Sequence, residues 1–165
     1  MLRPLEPEDL QLLYTIDNDP AGWEVCSQTV PYSQYDLRDY IINQSHDIYA
    51  DKQLRLVITD DTEQGRAVGL LDLFNFSPEH GRAEMGIAIH VKERGKGYAH
   101  KALLALDEYV SKKIHLHQLY CIVPIDNQPS ITMLRSAGFL HEIILPDWLQ
   151  MSHGYKDCVM FVKFY

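Results

Sequence analysis

Apolar residues along the chain follow two alternating periods, and the switches between them outline a fold. In "EPEDLQLLYTI", Leu10, Leu13, Tyr14 and Asp17 share one helical stripe, with acids in the first turn where the helix dipole favours them. "YSQYDLRDYIINQ" predicts a second helix, with Ser33 as N-cap and Asp36 three residues on. The period then shortens. "LRLVIT" reads as a strand and "DDTEQGR" as its turn; "AVGLLDLFNF" and "GRAEMGIAIHV" read as two more strands, joined through "SPEHG", whose Pro and Gly suit a hairpin loop. From Gly97 to Lys113 the apolar positions Ala99, Ala102, Leu103, Leu106, Tyr109 and Val110 return to helical spacing. "HQLYCIVP" predicts a short strand, "SITMLRSAGF" a helix closed near Gly138, and "KDCVMFVKFY" a final β-rich run. The order βααβββαβαβ, free of internal repeats and low-complexity segments, predicts an α/β fold with a central meander in a mixed sheet flanked by helices.

A chain of 165 residues fits one domain with one core, spanning residues 1–165, since single domains commonly run to about 100–200 residues. No run approaches the roughly 18 apolar residues of a membrane span, and "MLRPLEPEDL" carries acids where a secretory signal would carry its apolar core. The expectation is a cytoplasmic protein without a membrane partner. Cys26, Cys121 and Cys158 are odd in number, widely spaced and without a CxxC pair, which suits buried thiols better than a disulfide framework or zinc site. The eight histidines, "HLH" at 115–117 included, show no metal-ligand spacing on any predicted element, so no metal is expected.

The distribution of charge changes the picture more than its total of −8. Residues 1–60 hold eleven acids against four bases, whereas residues 92–113 hold six bases against three acids. A nucleic-acid partner is disfavoured, because most of the surface must be acidic. An anion belongs at the basic stretch, whose centre is "VKERGKGYAH". Gly95 and Gly97 there follow a strand and precede a helix, so the loop can turn tightly and bring its N–H groups close to a ligand. The first N–H groups of a helix lack intrahelical partners and carry the positive end of its dipole, which favours a phosphate. A tight turn with a solvated cationic rim would look the same, and the segment matches neither GxxxxGK[ST] nor GxGxxG.

Two segments together carry a resemblance. "RGKGYA", read as Arg94, Gly97 and Ala99, is similar to the Gln/Arg-x-x-Gly-x-Gly/Ala signature of the GNAT N-acyltransferase superfamily. "VPIDNQPSITMLRSAGF", with Asn127, Ser130, Gly138 and Phe139, resembles that superfamily's following strand and helix. "GRAEMGIAI", "LRPLEPEDL" and the C-terminal "DWLQMSHGYKDCVMFVKFY" resemble the branch of ribosomal-protein N-terminal acetyltransferases and spermidine N-acetyltransferases, with residues 24–60 least covered.

The resemblance implies a GNAT-type, mostly antiparallel central sheet and an acetyl-CoA-dependent transfer to an amine. The backbone N–H groups of Arg94, Gly95, Lys96, Gly97, Tyr98, Ala99 and His100 would hold the CoA pyrophosphate. Ile87, Ala88 and Ile89 would pair with the pantetheine arm, and Asn127 would bond that arm or simply cap its helix ahead of Pro129. Amine attack on a thioester needs a neutral amine, an oxyanion stabiliser and a proton for the thiolate. Glu84 is the candidate base, acting directly or through a water; its alternative role is to pair with Arg82 or bind a cationic substrate. A main-chain N–H at 86–89 would stabilise the oxyanion. Many superfamily members place a tyrosine acid four residues before the Gly-Phe, where this chain has Leu134. Ser130 is the candidate donor in its stead, or a helix cap; Tyr120 and Tyr155 are further tyrosines without support from spacing. The acids Glu24, Asp36, Asp39 and Asp47 suit a cationic acceptor, such as a polyamine, an aminoglycoside or a basic peptide N-terminus, or else form a solvated face. Trp23 and Trp148 would wall an acceptor pocket or join the core. A homodimer through exposed strand edges is a further expectation. Leu134 leaves open a non-catalytic acyl-CoA-binding module as one alternative; a structural or interaction protein using the fold alone, without CoA binding, is the other.

Overall fold

The computed structural model describes residues 1–23, 30–62 and 64–165, without the side chains of Ala21 and Trp23. Glu24 and Cys26, singled out in the sequence, lie outside the described residues, as does the side chain of Trp23. The elements in order are β1 (Leu2–Pro4), α1 (Leu10–Asp17), α2 (Pro20–Trp23), α3 (Gln34–Asn43), α4 (Ile48–Asp51), β2 (Leu54–Thr59), β3 (Ala67–Ser77), β4 (Arg82–Ile89), α5 (Tyr98–Tyr109), β5 (Gln118–Pro124), α6 (Gln128–Ser136), β6 (His141–Met151) and β7 (Gly154–Phe164). Among the described residues seven strands join one sheet in the order β1-β2-β3-β4-β5-β7-β6, antiparallel except for β4 against β5. The mixed, mostly antiparallel sheet and its central meander are therefore as the sequence predicts.

Strand alternation assigns the two faces of this sheet. Leu71, Leu73, Ala83, Met85, Leu119 and Cys121 point to one side, where they pack with Ala102, Leu103 and Leu106 of α5 and Ile131 and Leu134 of α6. Val57 and Leu70 point to the other and meet Leu5, Leu13 of α1, and Leu37 and Ile41 of α3. Each fully buried aliphatic side chain of this kind contributes about 1.5–3 kcal/mol. Ser33 caps α3 as expected: its Oγ accepts from the Asp36 N–H at 3.0 Å, and Asp36 accepts in return from the Ser33 N–H at 3.3 Å.

Two predicted helix starts shift. Gly97 is the cap of α5 and lies outside it, and the helix's last turn, Val110–Ile114, widens to π geometry before His115 turns left-handed at φ 55°. Helix α6 begins at Gln128, two residues before the apolar period shows it, because Asn127 caps it and Pro129 occupies its first turn. Strand β6 is an addition to the predicted order. It is an edge strand whose residues are mostly exposed, with a bulge between Leu145 and Leu149 that contains Pro146, so it carries no alternating pattern to read.

Candidate active site

The centre of the molecule is a parting of two strands. β4 is hydrogen-bonded to β3 along its length, with Ile87, Ala88 and Ile89 opposite Leu71, Leu70 and Gly69. Its partnership with β5 is short: Arg82, Ala83 and Glu84 face Gln118, Leu119 and Tyr120, and beyond them no rung joins the two strands among the described residues. The main-chain groups of residues 86–89 that point away from β3 thus have no strand partner, so an extended ligand can complete the ladder there. β3 can lie tightly against this segment because position 69 is glycine: a Cβ on Gly69 would come within 2.5 Å of the Ala88 carbonyl oxygen.

At the far end of the parting the chain makes a one-turn helix, Val91–Glu93, and then the glycine loop. Gly95 and Gly97 have φ of 76° and 81°, the left-handed region that side chains disfavour. A Cβ on either glycine would meet nothing within 4 Å, so neither is demanded by protein crowding, and the space above the loop is open to a ligand. Since its cap is a glycine, α5 begins without a side-chain cap, and the N–H groups of Tyr98, Ala99 and His100 belong to the turn that has no intrahelical acceptors. Such a helix start, with its donors and dipole aligned, suits an anion, the ligand expected at this junction from the sequence. His100 is held from below, its Nδ1 3.3 Å from the Ser136 Oγ of α6. The cationic rim is less free than a count of charges suggests. Arg94 donates to the Ile89 carbonyl at 3.0 Å and pairs with Asp19 at 3.4 Å, Lys96 pairs with Glu93 at 2.8 Å, and Lys101 pairs with Asp61.

Glu84 stands at the closed end of the parting. It is half-buried on the face that carries α1 and α3, opposite Phe74 of β3 and Tyr120 of β5, and its Oε2 accepts from the Asn75 side-chain amide at 2.8 Å. Burial, then the Glu84 charge, push the Tyr120 hydroxyl above its ordinary range, so it stays a protonated donor beside the carboxylate. Cys121, the next residue, points into the core, where burial raises its thiol to about 12 with a further push from Glu84. It is the inert thiol that its sequence setting predicts, and Cys158 is likewise buried and raised.

Asn127 and Ser130 are brought together in one cap. The Asn127 Oδ1 accepts from the Ser130 N–H at 3.2 Å, which leaves the Asn127 amide NH₂ available to a ligand. Leu134 is 1% exposed and packed in the main core, so the helix position that resembles an acid site presents nothing to the parting.

The acids of the N-terminal third have local tasks. Asp36 completes the α3 capping box, Asp39 accepts from Asn43 at 2.9 Å, and Asp47 caps α4 through the Tyr49 N–H at 2.9 Å. Asp36 and Asp39 nonetheless stay exposed and, with Asp51, line an open depression of about 390 Å³. A group the sequence does not announce stands on the Glu84 face of the sheet. Arg55 of β2 bridges Asp72 of β3 at 2.5 Å and Asp17 of α1 at 2.7 Å, beneath the Tyr40 ring. Two carboxylates on one guanidinium leave a net negative charge on the same sheet face as Glu84. Trp148 is 52% exposed on edge strand β6 and is not part of the core, and Tyr155 is exposed at the start of β7.

No group of three or more His, Cys, Asp or Glu side chains is arranged to hold a metal among the described residues. None of the described helices is long and apolar enough to cross a membrane.

Comparison with known proteins bears on this geometry. The family model described as acetyltransferase (GNAT) domain matches residues 1–140. The spermidine N(1)-acetyltransferase of Escherichia coli strain K12 is 32% identical over 159 residues, covering 96% of this chain and 82% of the relative. A solved structure of spermidine N-acetyltransferase from Vibrio cholerae in complex with CoA and spermine superimposes with a TM-score of 0.83 at 25% identity, covering 99% of this chain and 94% of that one. A dodecameric structure of the Vibrio cholerae enzyme superimposes with a TM-score of 0.80, also at 25% identity, covering 99% and 92%.

Proposed function

The chain belongs to the GNAT acetyltransferase family, and from that premise we propose that it moves the acetyl group of acetyl-CoA to a primary amine of a polyamine such as spermidine or spermine. The observation that carries the reading is the parting of β4 from β5 directly after Glu84, with an uncapped, glycine-initiated helix at its other end. The segment Ile87–Ile89 offers the pantetheine arm its main-chain groups that face away from β3, apart from the Ile89 carbonyl held by Arg94. The N–H groups from Arg94 to His100 receive the diphosphate, and the Asn127 amide reaches the arm from α6. CoA supplies the activated acyl thioester when bound; the residues of this chain orient it and manage protons.

In this reading Glu84 takes the proton of the incoming ammonium, directly or through a water, while Asn75 holds its carboxylate and Tyr120 stands beside it as a neutral donor. The free main-chain N–H groups at 86–89 stabilise the oxygen on which negative charge develops. Ser130 is the proton donor nearest the Asn127 cap, and a CoA thiolate, with a thiol pKa around 8–9, can also leave without one. A cationic acceptor suits the excess of carboxylate over guanidinium at Asp17, Arg55 and Asp72 and the acidic rim of α3. Residues 1–165 act as one domain, a reading supported by the single sheet from β1 to β7. An assembly of several copies is part of the proposal, supported by the dodecameric relative and by edge strand β6, which exposes Ile143, Ile144 and Trp148.

The test is acetyl-CoA-dependent release of free thiol against a panel of spermidine, spermine, aminoglycosides, arylalkylamines and peptides with different N-terminal residues. Release that depends on spermidine or spermine is expected. Release with another class redirects the acceptor, and CoA binding with no release from any acceptor returns the chain to a non-catalytic binding module.

A further inference from the structure

A carboxylate inside a phosphate-binding loop is unfavourable by charge alone, because it repels the anion the loop exists to hold. Glu93 stands at the entry to such a loop, as the last residue of the one-turn helix. It lies two positions before Gly95, between the exposed Lys92 and Arg94, yet is itself only 9% exposed. Three donors converge on it: Arg66 forks onto its two oxygens at 2.9 and 3.2 Å, and the Lys96 ammonium reaches Oε2 at 2.8 Å. These cations hold its carboxyl down at about 2, so it is charged at any working pH.

The fork continues away from the loop. Arg66 also donates through Nε to Asp60 at 3.2 Å and through its backbone N–H to the same carboxylate at 2.9 Å. Asp60 is buried just after β2, where it further accepts from the Thr62 hydroxyl at 2.6 Å. The turn between β2 and β3 is therefore closed on Asp60 and fastened to the glycine loop through Arg66 and Glu93. A second tie lies on the other side of the glycines, where Lys101 in the first turns of α5 pairs with Asp61 of the same turn. A loop with two glycines loses much conformational entropy when ordered, so one held ready for a ligand needs restraint from outside itself. A bidentate guanidinium–carboxylate pair supplies direction as well as attraction.

We propose that Glu93 and Arg66 form a positioning pair for the phosphate loop, setting its affinity for the CoA diphosphate from the β2–β3 turn without touching the ligand. The inference rests on the CoA-binding reading above. Repulsion by Glu93 is the competing effect. It is the smaller one, because two cations already neutralise this carboxylate at contact distance, whereas the loss of ordering falls on the whole loop. Residues of the β2–β3 turn, far from the glycine motif in sequence, thereby become part of the cofactor apparatus.

The experiment compares Glu93→Gln, Arg66→Gln and the double variant by calorimetric CoA binding, and by kcat/KM with acetyl-CoA and with S-acetylpantetheine, which lacks the phosphates. Each single variant should weaken CoA about tenfold, and the double variant no more than either single. The kcat/KM for S-acetylpantetheine should change less than about twofold, a separation that general distortion of the fold would not give. Arg66 is largely exposed, so Arg66→Gln keeps the test available should Glu93→Gln fold poorly. Unchanged or tighter CoA binding in the variants, additive losses, or an equal loss with S-acetylpantetheine would each overturn the pair's role. A wild-type chain that binds no CoA overturns the proposed function as well; a wild type that binds it, with variants that match it, overturns this inference alone.

Discussion

Glu84 of β4 stands directly opposite Tyr120 of β5, and they are the last pair the two parallel strands share before they part. In the proposed reaction a base placed there would meet the amine at the mouth of the opening, with a neutral hydroxyl beside it. Glutamine at position 84 keeps an oxygen for the Asn75 amide and removes only the charge and basicity. Glu84→Gln should therefore lower turnover with spermidine about 100-fold while leaving CoA affinity within about twofold. Steady-state kinetics and calorimetry on the same preparation check this, and an unchanged kcat would remove Glu84 from the mechanism.

Gly97 separates backbone strain from ligand space. Its φ of 81° costs a side chain about 1–2 kcal/mol, and nothing within 4 Å would obstruct a Cβ. Gly97→Ala and Gly97→Glu should thus lose similar stability, a fall of a few degrees in Tm. Their CoA binding should differ sharply, with a moderate loss for alanine and a loss of more than about 100-fold for glutamate, whose carboxylate takes the anion's place at the helix N-terminus. Equal CoA affinity in the two variants would place the diphosphate elsewhere.

The glycine loop with its helix, and the start of α6, were legible because their determinants are local: left-handed glycines, a helix period and the Asn127–Pro129 cap all act within a few residues. Glu84 and Tyr120 were half-legible, since apolar Ala83, Met85, Leu119 and Cys121 imply that both face the other side of the sheet, yet their adjacency depends on a register that spacing does not supply. Asp72 and Asp17 lie 17 and 38 residues from Arg55 and meet it only through the β2–β3 pairing and the packing of α1. Glu93 was hidden for a different reason. Summing charges over the loop treats a carboxylate as a subtraction, whereas its effect comes from which cations it holds. Strand β6 escaped because an exposed, bulged edge strand needs no alternation.

Removal of Arg55 should damage the fold. Burial works against its charge, but Asp72 and Asp17 outweigh burial and keep it firmly protonated. Arg55→Met leaves both carboxylates in a half-buried site with no cation, and should cost about 3 kcal/mol in urea unfolding. Adding Asp17→Asn and Asp72→Asn to that variant should recover part of the loss. A triple variant no more stable than Arg55→Met would mean that the guanidinium contributes mainly through its packing on Tyr40.

Acid stability should show two carboxylates acting with opposite sign. Glu93 titrates near 2 in the folded chain, against about 4.5 when unfolded, because Arg66 and then Lys96 hold it ionised. Its contribution is present above pH 4.5 and is lost as the pH falls toward 2. Asp17 is raised above its ordinary 3.8, since burial outweighs the attraction of Arg55. Its term is fully present below pH 3.8 and is lost as the pH rises through the folded value. Urea midpoints measured from pH 5 to pH 2 at constant ionic strength should therefore fall less steeply for Glu93→Gln than for the wild type, and more steeply for Asp17→Asn. If Glu93→Gln keeps the wild-type slope, the carboxylate titrates at its ordinary value and the fork from Arg66 is not formed in solution, which would also remove the physical basis for the positioning pair.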